Sequence, residues 1–415
     1  MKQAVITGIG ILSPIGNSIE EFWQGIKEGR SGASVVDRFD IEQFSSKIAC
    51  MVKNFDPLQY IDKKELRRSD LVQQYSLAGA EMAVADSGLD LNKVNLDRVG
   101  VVTGSGIGGI ATFEDQTRTF IERGAGKVSP FFIPMMIIDM VPGLISLKFG
   151  FKGPNYSTVS ACASSAHALA DAHRIIARGE ADIIVTGGSE ASITEMAFAG
   201  FCSSRALSTR NDDPATASRP FDKGRDGFVM GEGAAILIVE EKQHALNRGA
   251  KIYADLLGAG MSADAHHITA PAPDGNGAAR AMKAALDSAQ IQPEMVDYVN
   301  THGTSTPLGD IAETKALKTV FGDYVSKLNI NSTKSMIGHM LGGAGAIEAA
   351  VTALSLRDGF VHQTINIFDP DPECDLDYTS ESSRNVDIKC GISNSFGFGG
   401  HNITIVLGKH TNSTG

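Results

Sequence analysis

The sequence predicts an α/β protein made by internal duplication, with two related halves sharing one core. Three observations carry this. Short runs dominated by Val and Ile alternate with longer runs whose apolar residues recur at helical spacing. The order of these elements repeats with a period near half the chain. No Pro- or Ser-rich linker separates the halves. At 415 residues the chain is long enough for such a duplicated core and its large buried interior.

The elements follow in order. MKQAVITGIGILSPIG opens the chain as a strand and a turn. VGVVTG (Val99 to Gly104) is a strand that ends in a glycine loop. YSTVSA then leads through Cys162 into the helix ASSAHALADAHRIIARG, whose Ala166, Leu169, Ala170, Ile175 and Ile176 fall near helical spacing. The strand ADIIVTGG follows, and after GFVMGEG the strand GAAILIVEE closes the first half. In the second half VDYVNTHGT (Val296 to Thr304) is again a strand ending in a loop, and KLNINSTKSMIGHM leads into the helix LGGAGAIEAAVTALSLRDG. GGHNITIVLG closes the chain as GAAILIVEE closes the first half. Strands this uniformly apolar are expected between helices on both faces. We place the halves at 1–252 and 253–410 with a tail at 411–415. The stretch from about 111 to 154, with its FFIPMMIIDMVPG run, is expected as an insertion lining a cavity or a subunit interface.

The balance of charges excludes several classes of function. A net charge of −11 argues against general binding to nucleic acid or to an anionic membrane. No uninterrupted apolar run reaches membrane-spanning length, and the N-terminus lacks a signal peptide's basic start and cleavage site. A cytoplasmic protein is expected. The five cysteines (Cys50, Cys162, Cys202, Cys374, Cys390) are scattered without a C-x-x-C pair, so neither a disulfide framework nor a structural zinc site is expected.

Cys162 differs from the other four. It precedes a helix, where the dipole and unpaired N–H groups favour a thiolate, and its neighbours Ala161, Ala163, Ser164 and Ser165 leave room for another molecule. That combination reads as a nucleophile. Two histidines are its candidate partners. His339 stands before a helix nearly where Cys162 stands in the first half, and His302 stands where the loop Gly104 to Gly109 does. A pseudo-twofold arrangement would bring these element ends toward a common centre.

STVSACAS, NTHGTSTPLGD, STKSMIGHMLGGAGAIEA and NSFGFGGHN resemble the signature segments of β-ketoacyl-[acyl carrier protein] synthases, the elongating condensing enzymes of fatty-acid synthesis. So do RALSTRNDDPATASRPFDKGRDGFVMGEGA and VITGIGILSPIGN, and the resemblance runs end to end. It implies a thiolase-like fold of two βαβαβαββ halves in a layered αβαβα core, usually a homodimer. It implies decarboxylative condensation of an acyl thioester, held on Cys162, with malonyl-[acyl carrier protein]. His302 and His339 would then stabilise the malonyl-derived enolate, Lys334 would be the active-site lysine, and Glu348 its supporting acid. Phe398 would be the gate, its N–H joining that of Cys162 in an oxyanion hole. Ile107 would line the acyl pocket, and Thr304 and Thr306 would bind the phosphopantetheine arm. Lys64, Arg67, Arg68 and Arg205 would contact the acyl carrier protein. No metal or redox cofactor is implied, because loss of carbon dioxide makes the carbanion. Ala163, Thr301 and His401 depart from the commonest residues at their positions, which bears on subclass and chain-length preference.

Alternatives share parts of this set. A ketosynthase of a type II polyketide-like pathway uses the same residues on other substrates. A cysteine hydrolase would not need the second histidine with Lys334, and a non-catalytic subunit that sets chain length would lack the cysteine. Gly104, Gly106 and Gly109 satisfy G-x-G-x-x-G after a strand, but no regular βαβ unit follows, so a dinucleotide is not expected. His266 and His267 near Asp264 lack a third metal ligand and read as a loop at the pantetheine entrance. The run Lys63 to Arg68 is either a solvated helix face or a dock for an acidic carrier.

Overall fold

A computed structural model describes residues 2–411, so of the expected tail only Thr411 lies inside the described residues. Ten strands form one continuous sheet. In the first half they are β1 (Ala4–Leu12), β2 (Val99–Gly104), β3 (Asn155–Thr158), β4 (Ile183–Glu190) and β5 (Gly233–Glu241). In the second they are β6 (Ala254–Ala263), β7 (Tyr298–Asn300), β8 (Asn329–Asn331), β9 (Cys390–Gly397) and β10 (His401–Gly408). The order across the sheet is β8-β7-β9-β10-β6-β1-β5-β4-β2-β3, so each strand of the first half has its counterpart at the mirrored position. Where the halves meet, β1 and β6 pair antiparallel, Ala4 with Leu256 and Ile6 with Ala254. That short seam joins two sheets that the sequence presents only as separate runs.

Six helices complete the repeat. They are α1 (Leu71–Ser87), α2 (Met140–Phe149) and α3 (Ser164–Arg178), then α4 (Asn276–Ala289), α5 (Pro307–Phe321) and α6 (Ala344–Asp358). Each half therefore runs βαβαβαββ. α1 and α2 cover the outer face of the first half, α4 and α5 the second, and α3 and α6 lie between the two. This is the αβαβα layering, and it explains the composition of α6. One apolar stripe would take about half of its fifteen residues, yet every residue from Ala344 to Leu356 is buried, because a middle-layer helix meets a sheet on each side. Small residues let it approach α3. A side chain at Gly345 would stand 2.7 Å from the Ala166 Cβ, and the Ala346 N–H donates to Ser165 Oγ at 3.0 Å. Both middle helices end on a left-handed glycine, Gly179 (φ +72°) and Gly359 (φ +63°).

The expected insertion at about 111–154 overlaps the repeat. Met140–Phe149 is α2, packed on α1 and β2 and buried through Val141, Pro142 and Ile145. What lies outside the repeat is the helix Ile110–Arg123 and the short helix Phe132–Met136. The β3 strand beyond them is an edge of the sheet. No helix of the described residues is long and apolar enough to cross a membrane.

Candidate active site

Three element ends meet at one cavity of about 550 Å³. Its lining includes Ile107, Cys162, Arg205, His302, Thr304, Thr306, His339 and Phe398. Residues from both halves thus face one space, as the mirrored strand order requires.

Cys162 sits on the turn between β3 and α3. Ala161 takes a left-handed backbone (φ +50°), which costs an L residue about 1–2 kcal/mol. Ser164 offsets part of that by donating its hydroxyl to the Ala161 carbonyl at 2.7 Å. The loop after β9 lies flat against this turn, and a side chain at Gly397 would stand 2.7 Å from the Ser160 carbonyl. The backbone N–H groups of Phe398 and of Cys162 itself favour negative charge at the sulfur.

The thiol departs from the sequence-based expectation. Burial pushes it from an ordinary 9.0 up to about 12, opposed by the Lys334 charge and the Phe398 N–H, while Glu190 adds to the rise. That rise corresponds to roughly 4 kcal/mol against the thiolate. A helix N-terminus returns ~2 kcal/mol at most, so Cys162 rests as a thiol.

His302 follows β7 and His339 precedes α6. Their rings stand 5.3 Å apart and nearly perpendicular, with Phe396 5.6 Å from His302 and Phe228 5.3 Å from His339. Burial holds both imidazoles well below the usual histidine range, reinforced by the Lys334 charge and, for His302, by His339. Both are neutral near pH 7. Each Nδ1 is buried with no hydrogen-bond partner. With no acceptor at Nδ1, we assign the proton to Nε2, the nitrogen open to the cavity.

Lys334 and Glu348 form a fully buried ion pair behind the histidines, outside the cavity lining. Burial pushes the Glu348 carboxyl up to about 7 even though Lys334 opposes it. The Thr304 and Thr306 hydroxyls are joined at 2.9 Å. Phe398 is 37% exposed at the mouth. Arg205 is also exposed there, whereas Lys64, Arg67 and Arg68 lie on the surface away from the cavity, with the Arg68 guanidinium 4.3 Å over the Phe131 ring.

Several supporting residues were not singled out by sequence, although Arg225 and Asp310 lie within the signature segments themselves. Glu313, on α5, accepts the N–H groups of His302 at 2.9 Å and Gly303 at 2.8 Å, and Asn394 donates to it at 3.1 Å. Arg225 donates to the carbonyls of Thr306 at 3.1 Å and Pro307 at 2.9 Å, fixing the threonine loop. Asp310, beside Arg225 at 3.4 Å, takes the Phe221 N–H at 2.8 Å. Among the described residues no three His, Cys, Asp or Glu side chains gather as they would for a metal. His267 instead accepts the N–H groups of Thr269 and Ala270 at 3.1 Å, and the Thr269–Ala272 stretch lines the cavity.

Comparison with known proteins fits this geometry. Residues 1–245 match the family described as beta-ketoacyl synthase, N-terminal domain, and residues 253–368 match its C-terminal domain. The chain is 52% identical over 408 residues to the 3-oxoacyl-[acyl-carrier-protein] synthase 2 of Staphylococcus aureus, covering 98% of each chain. It is 49% identical over 409 residues to the protein of that name from Synechocystis sp., covering 99% of this chain and 98% of that one. Among solved structures, a beta-ketoacyl synthase from Burkholderia phymatum superposes with a TM-score of 0.93 at 35% identity, covering 99% of this chain and all of that one. A type II polyketide ketosynthase solved with its acyl-carrier protein superposes at 0.92 with 33% identity, covering 99% of this chain and 100% of that one. This chain belongs to the β-ketoacyl synthase family.

Proposed function

We propose that this chain is an elongating 3-oxoacyl-[acyl carrier protein] synthase of fatty-acid synthesis, acting through Cys162, His302 and His339. The observation that carries the reading is one cavity holding a thiol under two backbone N–H donors and facing two neutral imidazoles. The fatty-acid substrate class draws support from identity near 50% to 3-oxoacyl-[acyl-carrier-protein] synthases, against 33% to the polyketide ketosynthase.

The chemistry divides in two. In acyl transfer the Cys162 sulfur attacks the carrier thioester, and the oxyanion forms against the N–H groups of Cys162 and Phe398. The carrier thiolate leaves, and the proton lost from Cys162 goes to it, so a resting thiol suffices. Malonyl-carrier then enters. Its carboxylate departs as carbon dioxide, and the bonding pair moves into an enolate whose oxygen accepts from Nε2–H of His302 and His339. The enolate carbon attacks the acyl-Cys162 carbonyl, the same N–H pair holds the oxyanion, and its collapse releases Cys162, which takes a proton from solvent. The products are a 3-oxoacyl-carrier, carbon dioxide and the free carrier released in the first step. Burial keeps the histidines neutral, the Lys334 charge adds to it, and Glu348 balances that charge.

Thr304 and Thr306 would hold the pantetheine arm, Ile107 would bound the acyl pocket, and Phe398 would gate it. Lys64, Arg67, Arg68 and Arg205 would dock the acidic carrier protein. A homodimer belongs to the same reading. Its support is the edge strand β3 with exposed Tyr156 and, close by in the chain, exposed Val159, Leu147 and Ile133. A cytoplasmic location and the halves 1–252 and 253–410 complete it.

The test is direct. Purified protein given acyl-carrier and malonyl-carrier thioesters should yield 3-oxoacyl-carrier, read by mass spectrometry, and Cys162→Ala should yield none. Free fatty acid from the acyl-carrier alone would instead mark a hydrolase.

A further inference from the structure

The glycine-rich loop after β2 closes on a carboxyl group, and that group is the protein's own. Glu190, at the end of β4, is fully buried. Its Oε2 accepts the N–H groups of Gly106 at 2.8 Å and Gly342 at 3.0 Å. Its Oε1 accepts from the Ser105 hydroxyl at 3.0 Å, the Ser192 hydroxyl at 3.2 Å, and the N–H groups of Ile107 at 3.3 Å and Gly108 at 3.4 Å. Buried Glu232, Glu240 and Glu348 pair with Arg38, Arg248 and Lys334. Glu190 is held by N–H and O–H donors alone.

These donors come from two chain segments that each contribute to the cavity lining, through Gly106 and Ile107 and through His339 and Leu341. Gly106 to Gly108 carry Ile107, and Gly342 follows His339 by three residues. The two backbones approach closely enough that a side chain at Gly106 would stand 2.9 Å from Glu190 Oε2 and 3.4 Å from the Gly342 nitrogen. The approach needs glycine at both positions, and a side chain at Gly104 would stand 2.4 Å from the Ser164 carbonyl carbon, so packing accounts for the Gly104-x-Gly106 pattern without any nucleotide.

We propose that Glu190 is a positioning residue that locks the acyl-pocket loop to the turn after His339 and thereby sets acyl-chain discrimination. This rests on the condensing reading above. The chemistry of the two oxygens predicts a selective defect. Oε2 faces only N–H donors, so in Glu190→Gln the amide oxygen must stay there. The amide nitrogen then faces Ser105 and Ser192, whose hydroxyls can turn to accept, and Ile107 and Gly108, whose N–H groups cannot. The bridge to Gly342 survives and the hold on Ile107 is lost.

The experiment measures kcat/KM for acyl transfer to Cys162 across short, medium and long acyl-carriers, with wild type and Glu190→Gln. The long-to-short ratio should move by about three- to tenfold, the worth of a net hydrogen bond. Malonyl decarboxylation should fall by a smaller factor than the ratio moves. A cycle with Ile107→Ala should be non-additive in that ratio. Should Glu190→Gln fail to fold, Ser105→Ala removes one donor to the same oxygen and should shift the ratio in the same direction. An unmoved ratio in a folded variant with an active wild type, or an equal fall at every chain length and in decarboxylation, would overturn the inference alone. A wild type that transfers no acyl group would overturn the condensing reading and this inference with it.

Discussion

On the proposed reading Cys162 acts as a nucleophile in a place that resists charge. Burial outweighs the helix end, so the thiolate is scarce at neutral pH and reactivity should follow its population. We expect the rate of iodoacetamide labelling at Cys162 to climb about tenfold per pH unit from about pH 7 to 9 without levelling, and prior acylation to block it. A plateau near neutral pH would mean that the helix end and Lys334 win. This balance marks what single residues disclose in sequence. Cys162, His302 and His339 were legible because each carries its chemistry in its own side chain and stands at an element end. Glu313 and Glu190, outside every signature segment, were not, and the segments that contain Asp310 and Arg225 gave no sign of the part those two play. Their work is to bind backbone groups brought close only by folding, such as the Gly342 N–H, 152 residues from Glu190. No local pattern records that.

At the scale of elements, the middle-layer pair α3 and α6 sets how closely the Cys162 and His339 turns approach, since each turn leads directly into one of those helices. A side chain at Gly345 meets the Ala166 Cβ at 2.7 Å, the Ala166 nitrogen at 2.9 Å and Ser395 Oγ at 2.9 Å. Gly345→Val should therefore destabilise the fold by ~1–3 kcal/mol, as overpacking of a close helix contact does, measured by denaturant unfolding. An unchanged midpoint would mean that the helices can part freely. α3 was legible by its period, and α6 as its counterpart in the repeated order of elements. Their place between two sheet halves was not, because an all-round apolar helix is equally consistent with any deeply buried site. α2 was absorbed into a supposed insertion for a similar reason: MVPGLISLKF is apolar without a helical stripe, and it follows FFIPMMIID without a break.

At the scale of the whole molecule, a chain of net charge −11 keeps Lys64, Arg67 and Arg68 exposed. Reversing all three to Glu should raise KM for carrier-bound substrates by about five- to twentyfold at low salt. The effect should shrink as salt shortens the screening length below ~8 Å. Small pantetheine thioesters should react nearly as before, and equal damage to both substrates would make the cluster structural. The duplication was legible as a repeated order of runs, and the seam between Ala4–Ile6 and Ala254–Leu256 was not, since pairing partners 250 residues apart leave no trace in either strand. On the proposed reading duplication also distributes the reaction: the first half supplies the thiol, and the second supplies both imidazoles. The most direct measurement of that division uses His302→Ala and His339→Ala, each given acyl-carrier and malonyl-carrier and followed by intact-protein mass spectrometry. Loss of one enolate donor should slow decarboxylation roughly a hundred- to a thousandfold while acyl transfer persists, so acyl-Cys162 accumulates. Variants that decarboxylate normally but never acylate would contradict the account and make a histidine the base for the thiol.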